Sequence, residues 1–178
     1  MRSTLHLYGS VKILAWFCIG LVSVAETACR MSYSLTGASI SPSVKTVSIA
    51  TFPNNATFVV PTLSRTLTNA LRDYFTSQSS LNIVDRDGDL NVEGIITGYV
   101  VQPIAIQGNE TAAQNRLTIT VSVKFTNKTD EKQNWETNFT RYADFSSSVS
   151  LSSAQESLIA DITEQLVQDI FNKAVVNW

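Results

Sequence analysis

The chain has 178 residues, 44% of them hydrophobic and only 16% charged, with a formal net charge of -2 and no block of like charges. That length accommodates a leader and one domain with a proper core. The composition excludes a disordered chain, and without clustered Lys and Arg it offers no nucleic-acid surface.

The N-terminus has the three parts of an export signal. Arg2 and Lys12 supply positive charge, residues 13–25 (ILAWFCIGLVSVA) form an uncharged apolar run, and small residues follow. The run is too short for a membrane span, which needs about 20 residues. Two cuts fit the residues. Ser23-Val24-Ala25 suits an ordinary signal peptidase and leaves Glu26 first. Cleavage before Cys29 is the alternative, with a lipid attached to its sulfur; Thr27 and Ala28 suit it and Glu26 does not. Cys18 lies within the leader, so the mature chain keeps only Cys29 and forms no internal disulfide. An odd cysteine in an exported protein is paired outside the chain or modified. At the very start of the mature chain, lipidation gives it a role, and several acyl chains together anchor firmly.

Residues 45–52 (KTVSIATF) read as a short strand, broken by Pro53-Asn54-Asn55. From Pro61 the period changes: Leu63, Leu67, Ala70, Leu71, Tyr74 and Phe75 recur at helical spacing, with Pro61 in the first turn. Leu81–Val84 is a short strand and DRDGD at 85–89 its turn. Counted from Asp85, the sixth and twelfth places of a calcium loop hold Leu90 and Ile96 instead of Gly and Glu, so no metal site is expected.

Residues 92–104 (VEGIITGYVVQPI) are β-rich, with Gly94 and Gly98 suited to a close approach or a bulge. Residues 116–126 alternate without error, Leu117, Ile119, Val121, Val123 and Phe125 on one face and Thr118, Thr120, Ser122, Lys124 and Thr126 on the other. Residues 134–145 continue the pattern with Trp135, Phe139 and Ala143. This is the mark of an antiparallel sheet with one face buried and one wet. Residues 127–133 read as a compact hairpin connection, and the polar stretch 107–115 as a longer one, an exposed tip or a contact loop.

A final helix follows, with a capping box expected at Ser153 and Glu156. Its stripe comprises Leu158, Ile159, Ile162, Leu166, Ile170, Phe171, Ala174 and Val175. Two amphipathic helices and a half-apolar, mainly antiparallel sheet satisfy each other's burial as an α+β two-layer sandwich.

Catalytic chemistry is scarce. His6, the one histidine, falls in the leader, which excludes histidine triads and histidine metal sites from the mature chain. Neither S-x-x-K nor a glycine-rich phosphate loop occurs. No catalytic residue and no cofactor is expected. The N-x-S/T sequons at Asn55, Asn109, Asn127 and Asn138 are no marked excess over what the composition predicts and decide nothing.

Several stretches together, "YSLTGASISPSVKTVSIATFPN" behind a cysteine, "NRLTITVSVKFTN", "RYADFSSSVSLSS" and "LVQDIFNKAVVNW", resemble the LptE family of lipopolysaccharide-assembly lipoproteins as found in Bacteroidetes-type bacteria. The resemblance covers residues 29–178. It implies a lipoprotein signal peptide over 1–28, one α+β domain over 29–178, acylation at Cys29 and no enzymatic activity. It further implies a place on the periplasmic side of the outer membrane, plugging and helping to assemble an LptD-type β-barrel that inserts lipopolysaccharide into the outer leaflet. Two departures stand out: Glu26 where an aliphatic residue is usual, and Arg30 directly after the cysteine. Binding lipopolysaccharide phosphates would need cations, and Arg116, Lys124 and Arg141 on or beside the sheet are the candidates. The competing expectation is a soluble exported binding or adaptor module, cut after Ala25 and not lipidated.

Overall fold

The unbroken alternation of residues 116–126 is realised as a long strand whose Leu117, Ile119, Val121, Val123 and Phe125 are buried. The computed structural model describes residues 40–104 and 113–176. Strands β1 (Thr46–Ile49), β2 (Asn82–Val84), β3 (Leu90–Ile104), β4 (Gln114–Asn127) and β5 (Trp135–Ser146) make a five-stranded sheet ordered β2-β1-β3-β4-β5. The β3–β4 and β4–β5 ladders are antiparallel, while β1 runs parallel to both β2 and β3. Helices α1 (Leu63–Gln78) and α2 (Leu151–Phe171) cover one face, giving the expected two-layer α+β sandwich.

The helical stripes do what their spacing demands. Leu63, Leu67, Leu71 and Phe75 of α1 are fully buried, and Tyr74 and Phe75 meet the Phe171 ring edge-on at 5.1 and 4.9 Å. Burying each such side chain stabilises the fold by about 1.5–3 kcal/mol. Ser64, Thr68 and Arg72 dock α1 onto the chain leaving β1. Ser64 Oγ donates to the Phe52 carbonyl, Thr68 Oγ1 accepts the Phe52 N–H, and Arg72 donates to the Ile49 carbonyl. Residues 53–55 do not simply break the strand as expected. Pro53 O and Asn55 N bond the Ile96 backbone, so the segment keeps beside β3. Pro61 lies ahead of the helix rather than in its first turn.

The cap of α2 also differs from expectation. Ser150 is the capping residue: its backbone is extended, and its Oγ accepts the Ser153 N–H at 3.3 Å, which puts Ser153 inside the helix. Ser150→Ala is expected to cost about 1 kcal/mol in urea denaturation, and Ser153→Ala clearly less. Equal costs would reinstate Ser153 as the cap.

Gly94 and Gly98 fulfil the two roles their spacing suggested. A Cβ on Gly94 would fall 2.3 Å from the Phe52 ring, so the glycine admits that ring to the core. The ladder slips between Ile96 and Gly98, a bulge that turns Tyr99 inward and Val100 outward.

The connection from β2 to β3 is unusual. Parallel strands ordinarily need a crossover of a dozen or more residues, yet 85–89 passes directly across β1. A Cβ on Gly88 would lie 2.6 Å from Ser48 N and 2.9 Å from the Val47 carbonyl carbon. Asp89 then holds the crossing down, its Oδ2 accepting from the N–H groups of Lys45 and Thr46 and from Thr46 Oγ1. Those bonds keep its carboxyl below the usual carboxylate range.

The direction of the elements gives the domain two distinct ends. Ile40, the starts of β1, β3 and β5, and the C-termini of both helices share one, the Ile40 end. Tyr99, the far ends of β3 and β5, and both helix N-termini share the other.

Candidate functional site

The face of the sheet away from the helices is a broad polar surface. On β4 it presents Arg116, Thr118, Thr120, Ser122, Lys124 and Thr126, with Glu136, Asn138, Thr140, Tyr142 and Asp144 opposite them on β5. Its middle is uncharged and hydroxyl-rich, and Thr120 Oγ1 and Thr140 Oγ1 hydrogen-bond across the strands at 3.0 Å. Ile95, Val100 and Tyr142 are exposed among these groups. The bulge in β3 brings Val100 to this face, a consequence invisible to simple alternation.

The candidate cations do not converge. Arg116 is at one end of the face, clamped to Asp144 through Nε at 2.7 Å and Nη2 at 2.8 Å, with its guanidinium 3.6 Å above the Tyr142 ring. The pair holds the Asp144 carboxyl below its ordinary value and raises the Arg116 guanidinium. Lys124 lies toward the other end, roughly 27 Å along the strand. It stands in register between Glu93 and Glu136, and among the described residues it closes no ion pair. Arg141 is on the opposite, helix-covered face, where it grips Asp169 of α2 at 2.5 and 2.7 Å. Its work is to fasten β5 to the helix layer. Cys29 lies outside the described residues, as does most of the predicted contact loop 107–115.

This surface can hydrogen-bond and stack but carries no arranged nucleophile and base. Among the described residues no cluster of three or more His, Cys, Asp or Glu is placed to hold a metal. Asp89 of the acidic turn spends its carboxylate on the β1 backbone. No described helix is long and apolar enough to cross a membrane.

Residues 44–174 match the family described as LptE, lipopolysaccharide-assembly. The chain belongs to the LptE family. Its matched span begins just before β1 and ends just past α2, so the whole sandwich is the family's domain. No curated protein matches the sequence. Among solved structures, a minor lipoprotein from Acinetobacter baumannii aligns at 14% identity and a TM-score of 0.48, over 74% of this chain and 92% of that one. The rare lipoprotein B from Shewanella oneidensis aligns at 12% identity and a TM-score of 0.44, over 72% and 90%.

Proposed function

We propose that this LptE-family chain is a lipoprotein of the outer membrane, acylated at Cys29, that plugs and helps assemble an LptD-type β-barrel for lipopolysaccharide insertion. Membership of a lipopolysaccharide-assembly family carries the reading, and the open sheet face supports it. A plug in a polar lumen needs many neutral hydrogen-bonding groups and little net charge, and Thr118, Thr120, Ser122, Asn138 and Thr140 supply that surface. Lys124 is the cation on this face best placed for a lipopolysaccharide phosphate, because Arg116 reaches one only by releasing Asp144. Arg141 would have to release Asp169.

The test is a mild-detergent pull-down of the C-terminally tagged full-length chain from native membranes, with mass spectrometry of what is retained. A stoichiometric large β-barrel is the expected result. Recovery alone, or only from the soluble fraction, would sink the proposal in favour of an exported module cut after Ala25.

A further inference from the structure

At the Ile40 end, β4 turns into β5 around a buried asparagine. Asn127 Oδ1 accepts from the N–H groups of Thr129 and Asp130 and from Thr129 Oγ1, which identifies its other terminal atom as the amide nitrogen. That nitrogen donates to Gln133 Oε1 at 2.6 Å, and the Asn127 backbone N–H donates to Asn134 Oδ1 at 2.7 Å. The side-chain carbonyls of Gln133 and Asn134 are therefore both consumed. Their NH2 groups have no hydrogen-bond partner among the described residues.

Gln133 and Asn134 line a cleft of about 350 Å³ between the turn and the end of α2, together with Phe125, Trp135, Lys132 and Lys173. Lys173 Nζ sits 5.3 Å from the centre of the Trp135 ring, which stacks on Phe125. Neither Lys132 nor Lys173 has an ion-pair partner among the described residues. Among the described residues no acidic side chain lines the cleft. Asp130, on the same turn, directs its carboxylate to the Lys132 backbone N–H, and Glu136 points to the other face of the sheet. Among the described residues, the polar side-chain groups of the cleft left free are thus all donors, and two of them are cationic. That is the donor set of an anion site.

We infer that this cleft binds the phosphate of an anionic glycerophospholipid headgroup in the membrane to which the chain is tethered. The position of the tether argues for a lipid source. Residues 30–39 bridge Cys29 to Ile40 with a reach of at most roughly 40 Å. Ile40 lies at the same end of the sheet as the cleft, across strands that span about 19 Å from edge to edge. A lipid at Cys29 would hold this end within reach of headgroups, where Trp135 is the residue type that settles at the interface. The inference rests on the lipoprotein reading for its orientation only.

The experiment uses the mature chain with Cys29→Ser, so that no acyl chain contributes, in flotation with vesicles of phosphatidylcholine with or without phosphatidylglycerol. Binding only to the anionic vesicles is expected. It should fall about 30-fold in Lys132→Gln/Lys173→Gln, at about five-fold for each lysine. Asn134→Asp keeps the oxygen that accepts the Asn127 N–H but replaces the outward donor with a charge, and should also weaken binding while circular dichroism stays unchanged. Equal flotation of all variants, equal binding to neutral vesicles, or a calorimetric signal from free glycerophosphate as strong as from vesicles would each overturn the inference. The mass of the N-terminal peptide from the native chain reports acylation separately, so a failed anchor and a failed cleft are told apart.

Discussion

Gly88→Ala is expected to destabilise the domain by about 3 kcal/mol, because the new methyl has nowhere to go. The atoms around its Cβ are the backbone of Val47, Ser48 and Leu90, at 2.6–2.9 Å. No side chain can rotate away, so the crossing itself must lift off β1. Lifting it stretches the bonds from Asp89 to Lys45 and Thr46 and the bond from Asn91 Nδ2 to Gly88 O. In urea titrations the midpoint should drop by roughly 1.5 M for a slope near 2 kcal/mol/M. Gly98→Ala is the control: the atoms nearest its Cβ are the Thr120 side chain and amide, at 3.2 Å or more, and it should cost far less. If the two substitutions cost the same, the crossing is not the constraint described here. The same titrations on the unaltered protein should show acid sensitivity with a definite sign. The folded state holds the Asp89 and Asp144 carboxyls below their ordinary 3.8. Their contribution is present above that pH and disappears as the pH falls through the folded values.

Cys29→Ala should carry the second large effect, on location rather than stability. With a multi-chain anchor at Cys29 the native protein partitions into detergent, whereas the substituted one, left with at most the weak headgroup contact proposed above, should recover in the aqueous phase. Phase separation in a clouding detergent, followed by mass spectrometry of the N-terminal peptide, reads both the partition and the cut. A native protein that begins at Glu26 and stays aqueous would reject acylation outright.

Much of this architecture was legible from residue order alone, for identifiable reasons. The β4 alternation and the α2 stripe are long, and each has one apolar face, so period, element and facing all follow. The parallel pairing of β1 with β2 and β3 was not legible, since β1 and β2 are too short for any period to show direction. The cap of α2 was misplaced because serines at 150, 152 and 153 all qualify by type, and only the extended backbone at Ser150 separates them. On the surface, alternation sent Lys124 outward, as the register has it, while Arg141, offered beside it as a candidate, turns to the helix side. Alternation could not reveal that Asp144 and Asp169 had already claimed Arg116 and Arg141, because those partners meet only once the strand register and helix packing exist. The cleft at Trp135 was equally hidden. Asn127 reads as part of a polar hairpin, and its role emerges only from which of its neighbours' atoms it occupies.

The outer side of β5 has no strand beside it among the described residues. A strand running from Trp135 to Ser146 with one row of backbone N–H and C=O groups unmatched is an adhesive edge. Glu136, Arg141 and Asp144 distribute charge along it, so a second copy sliding into register must bring ionic groups close together at the seam. The strand on which aggregation would otherwise begin therefore carries its own deterrent to self-association.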